Sequence, residues 1–253
     1  MAAGKAPAVV ALICLFVLSS CARTPETVTS VATTTQTETE TVTATEEELV
    51  PVPAEQRAQV ASLMTVGVKN YDDALHALRE GAGGIFIASW TDPALLTAPE
   101  RNLAALKREV GRPFAVTIDA EGGRVVRQPE LLGEIPAPRT MADTSSAEDV
   151  ENVAFELGKK LNSFGITVDF APVLDTDAGP SDGAIGDRSF SPDPQRAAEY
   201  ATAFARGLVR AGVTPVFKHF PGHGRATGDS HTGEVHTPPP VSYTHLTLPT
   251  NRE

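Results

Sequence analysis

Beyond residue 50 the chain alternates short, continuously apolar runs with longer amphipathic stretches. Leu63 to Val68 predicts a first strand. Tyr71 to Glu80 places Leu75 and Leu78 at helical spacing and stops at Gly81. Gly84 to Ala88 reads as a buried strand. Pro93 to Val110 predicts a helix with Leu96, Leu103 and Leu106 on one side and Gly111 at its end. Phe114 to Ile118 is another apolar strand. Ser146 to Leu161 is amphipathic, with Val150, Val153, Leu157 and Leu161 as its stripe and Ser146 as N-cap. A strand follows over Ile166 to Val173, a helix over Pro194 to Val209 and a strand over Thr214 to Phe217.

Apolar strands alternating with helices indicate a parallel sheet built of βα units, about five of them. Polar residues gather directly after the strands: Asp119 after the third, Asp175 after the fourth, Lys218 and His219 after the fifth. The C-terminal ends of parallel strands are where α/β folds place their sites. Gly122-Gly123 is not a dinucleotide fingerprint, and no Walker sequence is present, so an α/β barrel of the (β/α)8 TIM type is preferred to a nucleotide-binding sheet. A complete barrel takes about 250 residues. Residues 51–240 are fewer, and the barrel is expected to be incomplete.

The first fifty residues follow another pattern. Lys5 precedes an apolar stretch from Ala8 to Val17, about ten residues and too short to span a bilayer. Leu18-Ser19-Ser20-Cys21 resembles a bacterial lipobox. The expectation is a signal peptide over residues 1–20, lipid on Cys21, and anchorage to the outer face of the bacterial cytoplasmic membrane; a plain secretory signal is the alternative. Residues 21–50 set Arg23 against Glu26, Glu38, Glu40, Glu46, Glu47 and Glu48 among many threonines. With so few large apolar residues this run cannot offset its ordering entropy and reads as a disordered tether, or as a glycosylated stalk.

Charge and cysteine content narrow the function. A formal net charge of −11 argues against a nucleic-acid partner. The two cysteines, Cys14 and Cys21, support neither a disulfide framework nor a cysteine-rich zinc site. The densest chemistry lies in Lys218-His219-Phe220-Pro221-Gly222-His223-Gly224 and in Gly228-Asp229-Ser230-His231. Pro and Gly preclude a helix there. Asp229 and His231 are two apart, and a carboxylate beside an imidazole makes a competent proton donor and acceptor.

These two segments, with Ile118-Asp119-Ala120-Glu121-Gly122-Gly123-Arg124-Val125-Val126-Arg127, Asp169-Phe170-Ala171-Pro172-Val173-Leu174-Asp175 and Gly186-Asp187-Arg188-Ser189-Phe190, closely resemble the bacterial β-N-acetylglucosaminidases of glycoside hydrolase family 3. The resemblance covers about residues 55–240. It implies that Asp119, Arg127, Arg188, Lys218 and His219 grip a terminal N-acetylglucosamine, that His231 is the general acid/base and that Asp229 tunes it. It implies no cofactor and no metal, and an N-acetylglucosamine-containing saccharide as partner; a monomer is expected. The resemblance puts the family's nucleophile, an aspartate, on a later strand that this chain is expected to lack, and residues 241–253 are expected to be a tail foreign to the family. The expectation is therefore a C-terminally truncated, inactive fragment of an exo-acting, retaining enzyme that trims cell-wall fragments or chitooligosaccharides.

Competing readings stand beside these. His219, His223, His231 and His236 are a possible metal set, but Lys218 beside a ligand would repel a cation. A β-glucosidase-like relative and a non-catalytic sugar-binding lipoprotein are the alternative functions. Glu121 is read as a partner for an arginine, Arg127 is favoured over Arg124 as the sugar contact, Asp169 is either structural or functional, and Asp175 shapes the site floor. Trp90 reads as a rim or packing residue and His76 as a surface histidine.

Overall fold

The computed structural model describes residues 55–236 other than Pro221, Arg225, Thr227 and His231. The expected signal peptide, Cys21, the tether, the 241–253 tail and His231 lie outside the described residues. In chain order the elements are α1 (Gln56–Ser62), β1 (Thr65–Val68), α2 (Tyr71–Arg79), β2 (Gly84–Ile87), α3 (Ala94–Thr97), α4 (Leu103–Val110), β3 (Ala115–Ile118), β4 (Ala120–Gly122), β5 (Val125–Val126), α5 (Pro129–Leu132), α6 (Pro138–Thr144), α7 (Ala147–Phe164), β6 (Val168–Asp169), α8 (Pro194–Arg210) and β7 (Thr214–Pro215), with a 3-10 turn at Gly186–Arg188 before α8.

Five strands form one parallel sheet in the order β1-β2-β3-β6-β7. Each strand lies beside the next parallel strand in sequence. A doubly wound sheet reverses its order at a switch point; this one does not, so its topology is that of an incomplete α/β barrel. The two outer strands are flanked by exposed apolar side chains, Leu63 and Met64 at one end and Val216 and Phe217 at the other.

The predicted elements are present, several with altered bounds. The 93–110 helix is two helices, because Ala98 before Pro99 is extended and Asn102 restarts the chain by accepting a hydrogen bond from the Ala105 N–H. The fourth strand is only Val168–Asp169, since Pro172 has no N–H to offer a ladder. Pairing resumes at one bridge, Val173 with Lys218. The fifth strand is likewise short; Pro215 sits in it at the outer edge of the sheet, where a missing donor is tolerated. Unpredicted are α1, the short helices α5 and α6, and the β4–β5 hairpin. Ser146 caps α7 as expected, in a reciprocal capping box with Asp149.

Helices α7 and α8 pack on each other across glycines. A Cβ on Gly207 would sit 2.2 Å from the Glu151 carbonyl oxygen, and one on Gly158 would sit 2.6 Å from the Ala211 Cβ. The rings of Phe190, Tyr200 and Phe204 fill the space beside this seam, with centroids 6.3 Å apart. Their burial against Leu157, Leu161 and Leu208 extends the core beneath β6 and β7.

Candidate active site

Asp119 follows β3 and leads directly into β4. Successive side chains on an extended segment alternate, so Asp119 and Glu121 project to the same side. Lys218 joins them: its Nζ lies 2.7 Å from Asp119 Oδ1 and 2.6 Å from Glu121 Oε1. The Val173 bridge puts Lys218 there, through the Leu174 N–H donating to the Lys218 carbonyl at 2.7 Å and the Lys218 N–H donating to Pro172 at 3.2 Å. Arg127, just past β5, donates its N–H to the Asp119 carbonyl at 3.0 Å. Its guanidinium approaches Asp119 Oδ2 at 3.4 Å.

Arg188 meets Glu121 two-pronged, Nε at 2.7 Å and Nη2 at 2.9 Å. Two other arginines shape the loop that carries it. Arg139 donates to the carbonyls of Asp177, Gly179 and Gly186. Arg124 reaches the carbonyls of Gly183 and Ile185 and pairs with Asp187 at 2.9 Å. The Asp177 carboxylate accepts from the N–H groups of Gly179 and Gly186. Burial works against the Arg188 charge, but the Glu121 hydrogen bonds outweigh it, helped by Asp119 and Asp175, and the guanidinium pKa is raised.

Asp175 holds the next segment. Its Oδ2 lies 2.6 Å from His219 Nδ1 and accepts the His219 N–H at 3.2 Å, while Oδ1 accepts from the His223 N–H and, at 3.1 Å, the Gly224 N–H. Burial raises the Asp175 pKa, yet the His219 and backbone hydrogen bonds prevail and hold it below the ordinary carboxylate value. With its proton on Nδ1, His219 offers Nε2 as an acceptor, and Arg188 Nη2 lies 3.5 Å away on that side.

Asp169, on β6, is fully buried. Its Oδ1 accepts the Ala120 N–H at 2.9 Å, between Asp119 and Glu121. Its Oδ2 has no hydrogen-bond partner among the described residues. Burial pushes its carboxyl up to about 7, against the Ala120 hydrogen bond and the nearby Lys218 charge.

The structure thus brings Asp119, Arg127, Arg188, Lys218 and His219 together at the strand ends. Asp229 lies in the loop that follows them. Arg124 is committed to the 183–187 loop, whereas Arg127 stands beside Asp119. Glu121 does pair with an arginine, but its simultaneous hold on Lys218 went unforeseen; its two-residue spacing from Asp119 at a strand end was the available signal. Asp175 lies beneath His219. Trp90 is exposed and lies against Gly67, and His76 is a surface residue of α2.

Comparison with known proteins bears on this arrangement. Residues 56–246 match the Glycosyl hydrolase family 3 N terminal domain. The beta-hexosaminidase LpqI of Mycobacterium tuberculosis is 45% identical over 193 residues, which are 75% of this chain and 49% of that protein. A crystal structure of a family 3 glycosyl hydrolase from Mycobacterium smegmatis is 47% identical with a TM-score of 0.72, covering 76% of this chain and 58% of that one. NagZ of Neisseria gonorrhoeae, crystallised with N-trifluoroacetyl-D-glucosamine, is 30% identical with a TM-score of 0.58, over 68% of this chain and 53% of that one. The chain spans about half the length of the curated relatives it matches.

Proposed function

Because the chain belongs to glycosyl hydrolase family 3, we propose that its strand-end cluster is the sugar-binding part of an exo-acting, retaining β-N-acetylglucosaminidase. The observation that carries this is the Asp119 carboxylate held between Lys218 at 2.7 Å and Arg127 at 3.4 Å, at the C-terminal end of the sheet. An ionised carboxylate accepts hydrogen bonds from two sugar hydroxyls, while Lys and Arg donate to hydroxyl and amide oxygens. The cluster offers both kinds of partner a few ångströms apart, which suits a ring bearing hydroxyls and an acetamido carbonyl. The gonococcal relative was crystallised with an N-acylated glucosamine, which supports that choice of sugar.

In this reading Asp119, Arg127, Arg188, Lys218 and His219 bind the terminal N-acetylglucosamine. His231, with Asp229 beside it in sequence, donates a proton to the departing glycosidic oxygen and then takes one from the attacking water. The displacement itself needs an aspartate nucleophile, which the family resemblance puts on a later strand. The substrates are cell-wall fragments or chitooligosaccharides. The Leu18 to Cys21 sequence supports a lipid anchor on Cys21 and a place in the cell envelope.

Calorimetric titration of the chain with N-acetylglucosamine and with glucose tests the proposal. Tighter binding of N-acetylglucosamine, abolished by Asp119→Ala, is expected. Equal affinity for the two sugars would favour a β-glucosidase-like site, and binding indifferent to Asp119→Ala would overturn the assignment.

A further inference from the structure

Glu121 is enclosed at the strand ends, with its side chain 0% exposed. Arg188 and Lys218 lie across its oxygens: Oε1 is shared by Arg188 Nη2 at 2.9 Å and Lys218 Nζ at 2.6 Å, and Oε2 takes Arg188 Nε at 2.7 Å. A sugar in the site therefore meets the two cations and not Glu121 itself. The three groups come from distant parts of the chain, the β4 segment, the 3-10 turn and the third residue beyond β7. Among the described residues, this carboxylate pairs with both cations.

We propose that Glu121 is a positioning residue: a buried, forked acceptor that fixes where the Arg188 guanidinium and the Lys218 ammonium stand, so that both are set before a sugar arrives. Arg and Lys lose much rotamer freedom when they bind a ligand. Holding them in place beforehand transfers that loss from binding to folding. Lys218 is left with donors for Asp119 and for a ligand, and Arg188 with Nη1, which donates to the Ala184 carbonyl at 3.1 Å, and the edge that faces His219. The backbone of Glu121 is itself fixed by the neighbouring bond from the Ala120 N–H to Asp169. This inference rests on the sugar-binding reading above only for its ligand, not for its geometry.

Glu121→Gln tests it, because glutamine fills the same volume but brings an NH2 against two cations. Two readouts are taken on the full chain, at a temperature where both forms are folded. The first is solvent exchange of the Arg188 Nε–H by NMR, with the amides of Val116 and Ile118 as core controls. The second is the affinity for N-acetylglucosamine. Exchange at Arg188 at least ten times faster, with the core amides unchanged and the affinity at least tenfold weaker, is expected. Arg188 exchange within twofold of the parent overturns the inference, as does unchanged affinity where the parent binds. Should the parent bind no sugar, the functional proposal fails while the exchange rates still decide the role of Glu121. If the glutamine form does not fold, Glu121→Asp, which keeps the charge but shortens the reach, is expected to show the same loosening of Arg188; Arg188 exchange unchanged in that form overturns the inference. Glu130→Gln, an exposed acid on α5, serves as the control for a simple change of charge.

Discussion

The strand-end part of the site and the segment that follows it are secured in different ways. At the strand ends three carboxylates, Asp119, Glu121 and Asp169, lie among three cations, Arg127, Arg188 and Lys218, and several of these groups have more than one partner. The 219–224 segment instead converges on a single carboxylate, Asp175, which takes the His219 ring and the N–H groups of residues 219, 223 and 224. A web with shared partners loses one link at a time. A segment held through one carboxylate loses four links together.

The largest effect expected from this contrast is at Asp175. Asp175→Ala removes a buried charge and the two oxygens that accept all four bonds, and should lower stability by about 4 kcal/mol in urea unfolding. Protection of the Gly224 amide against exchange should be lost with it. A loss no greater than that of Asp119→Ala, in which Lys218 keeps Glu121, would show that the segment has other anchors.

Asp169 and Asp175 should bend the pH dependence in opposite senses. Asp169 keeps its proton in the folded state at pH values where the unfolded chain has released it, so its contribution falls as pH rises from about 4 to about 7 and is then level. Asp175, with a lowered pKa, contributes above the ordinary carboxylate range and loses that contribution as acidification passes through its folded value. Asp169→Asn should therefore match the parent near pH 4 and gain on it steadily up to about pH 7. Parallel stability curves for the two proteins from pH 4 to 8 would contradict the burial account of this carboxyl.

A smaller effect is expected at Gly224, where a Cβ would meet the Thr176 carbonyl oxygen at 2.3 Å. Gly224→Ala should cost about 2 kcal/mol in thermal unfolding, by pushing the segment off Asp175. Least costly is Arg124→Ala. Its side chain is 41% exposed and its ion pair with Asp187 is partly solvated, so the loss should stay below about 1 kcal/mol, with sugar affinity within threefold of the parent. A larger fall in affinity would mean that the 183–187 loop depends on Arg124 more than on Arg139.

Much of this was legible from the residues. The five strands announced themselves as apolar runs, and Ser146 and Gly111 bound their helices through ordinary capping chemistry. Their lengths were not legible, because Pro99, Pro172 and Pro215 change the local backbone without altering the apolar pattern around them. The β4–β5 hairpin escaped because its strands are three and two residues long and the first carries Glu121 and a glycine. In the site, the residues of the strand ends could be named, yet their pairing could not. Glu121 and Arg188 are 67 residues apart in sequence, and Lys218 and Asp119 are 99 apart. Nothing local in the sequence states that Lys218 divides itself between two acids.

The glycine seam between α7 and α8 reaches further than its own helices. Three residues separate the end of α8 from β7, and Lys218 lies three beyond β7, so the depth at which α8 seats is inherited by the ammonium within a few peptide units. A methyl group added at position 207 would run into the Glu151 carbonyl and press α8 away from α7. The absence of two side chains between these helices thus bears on the stretch of chain leading to a lysine whose own place is held by Val173, Asp119 and Glu121.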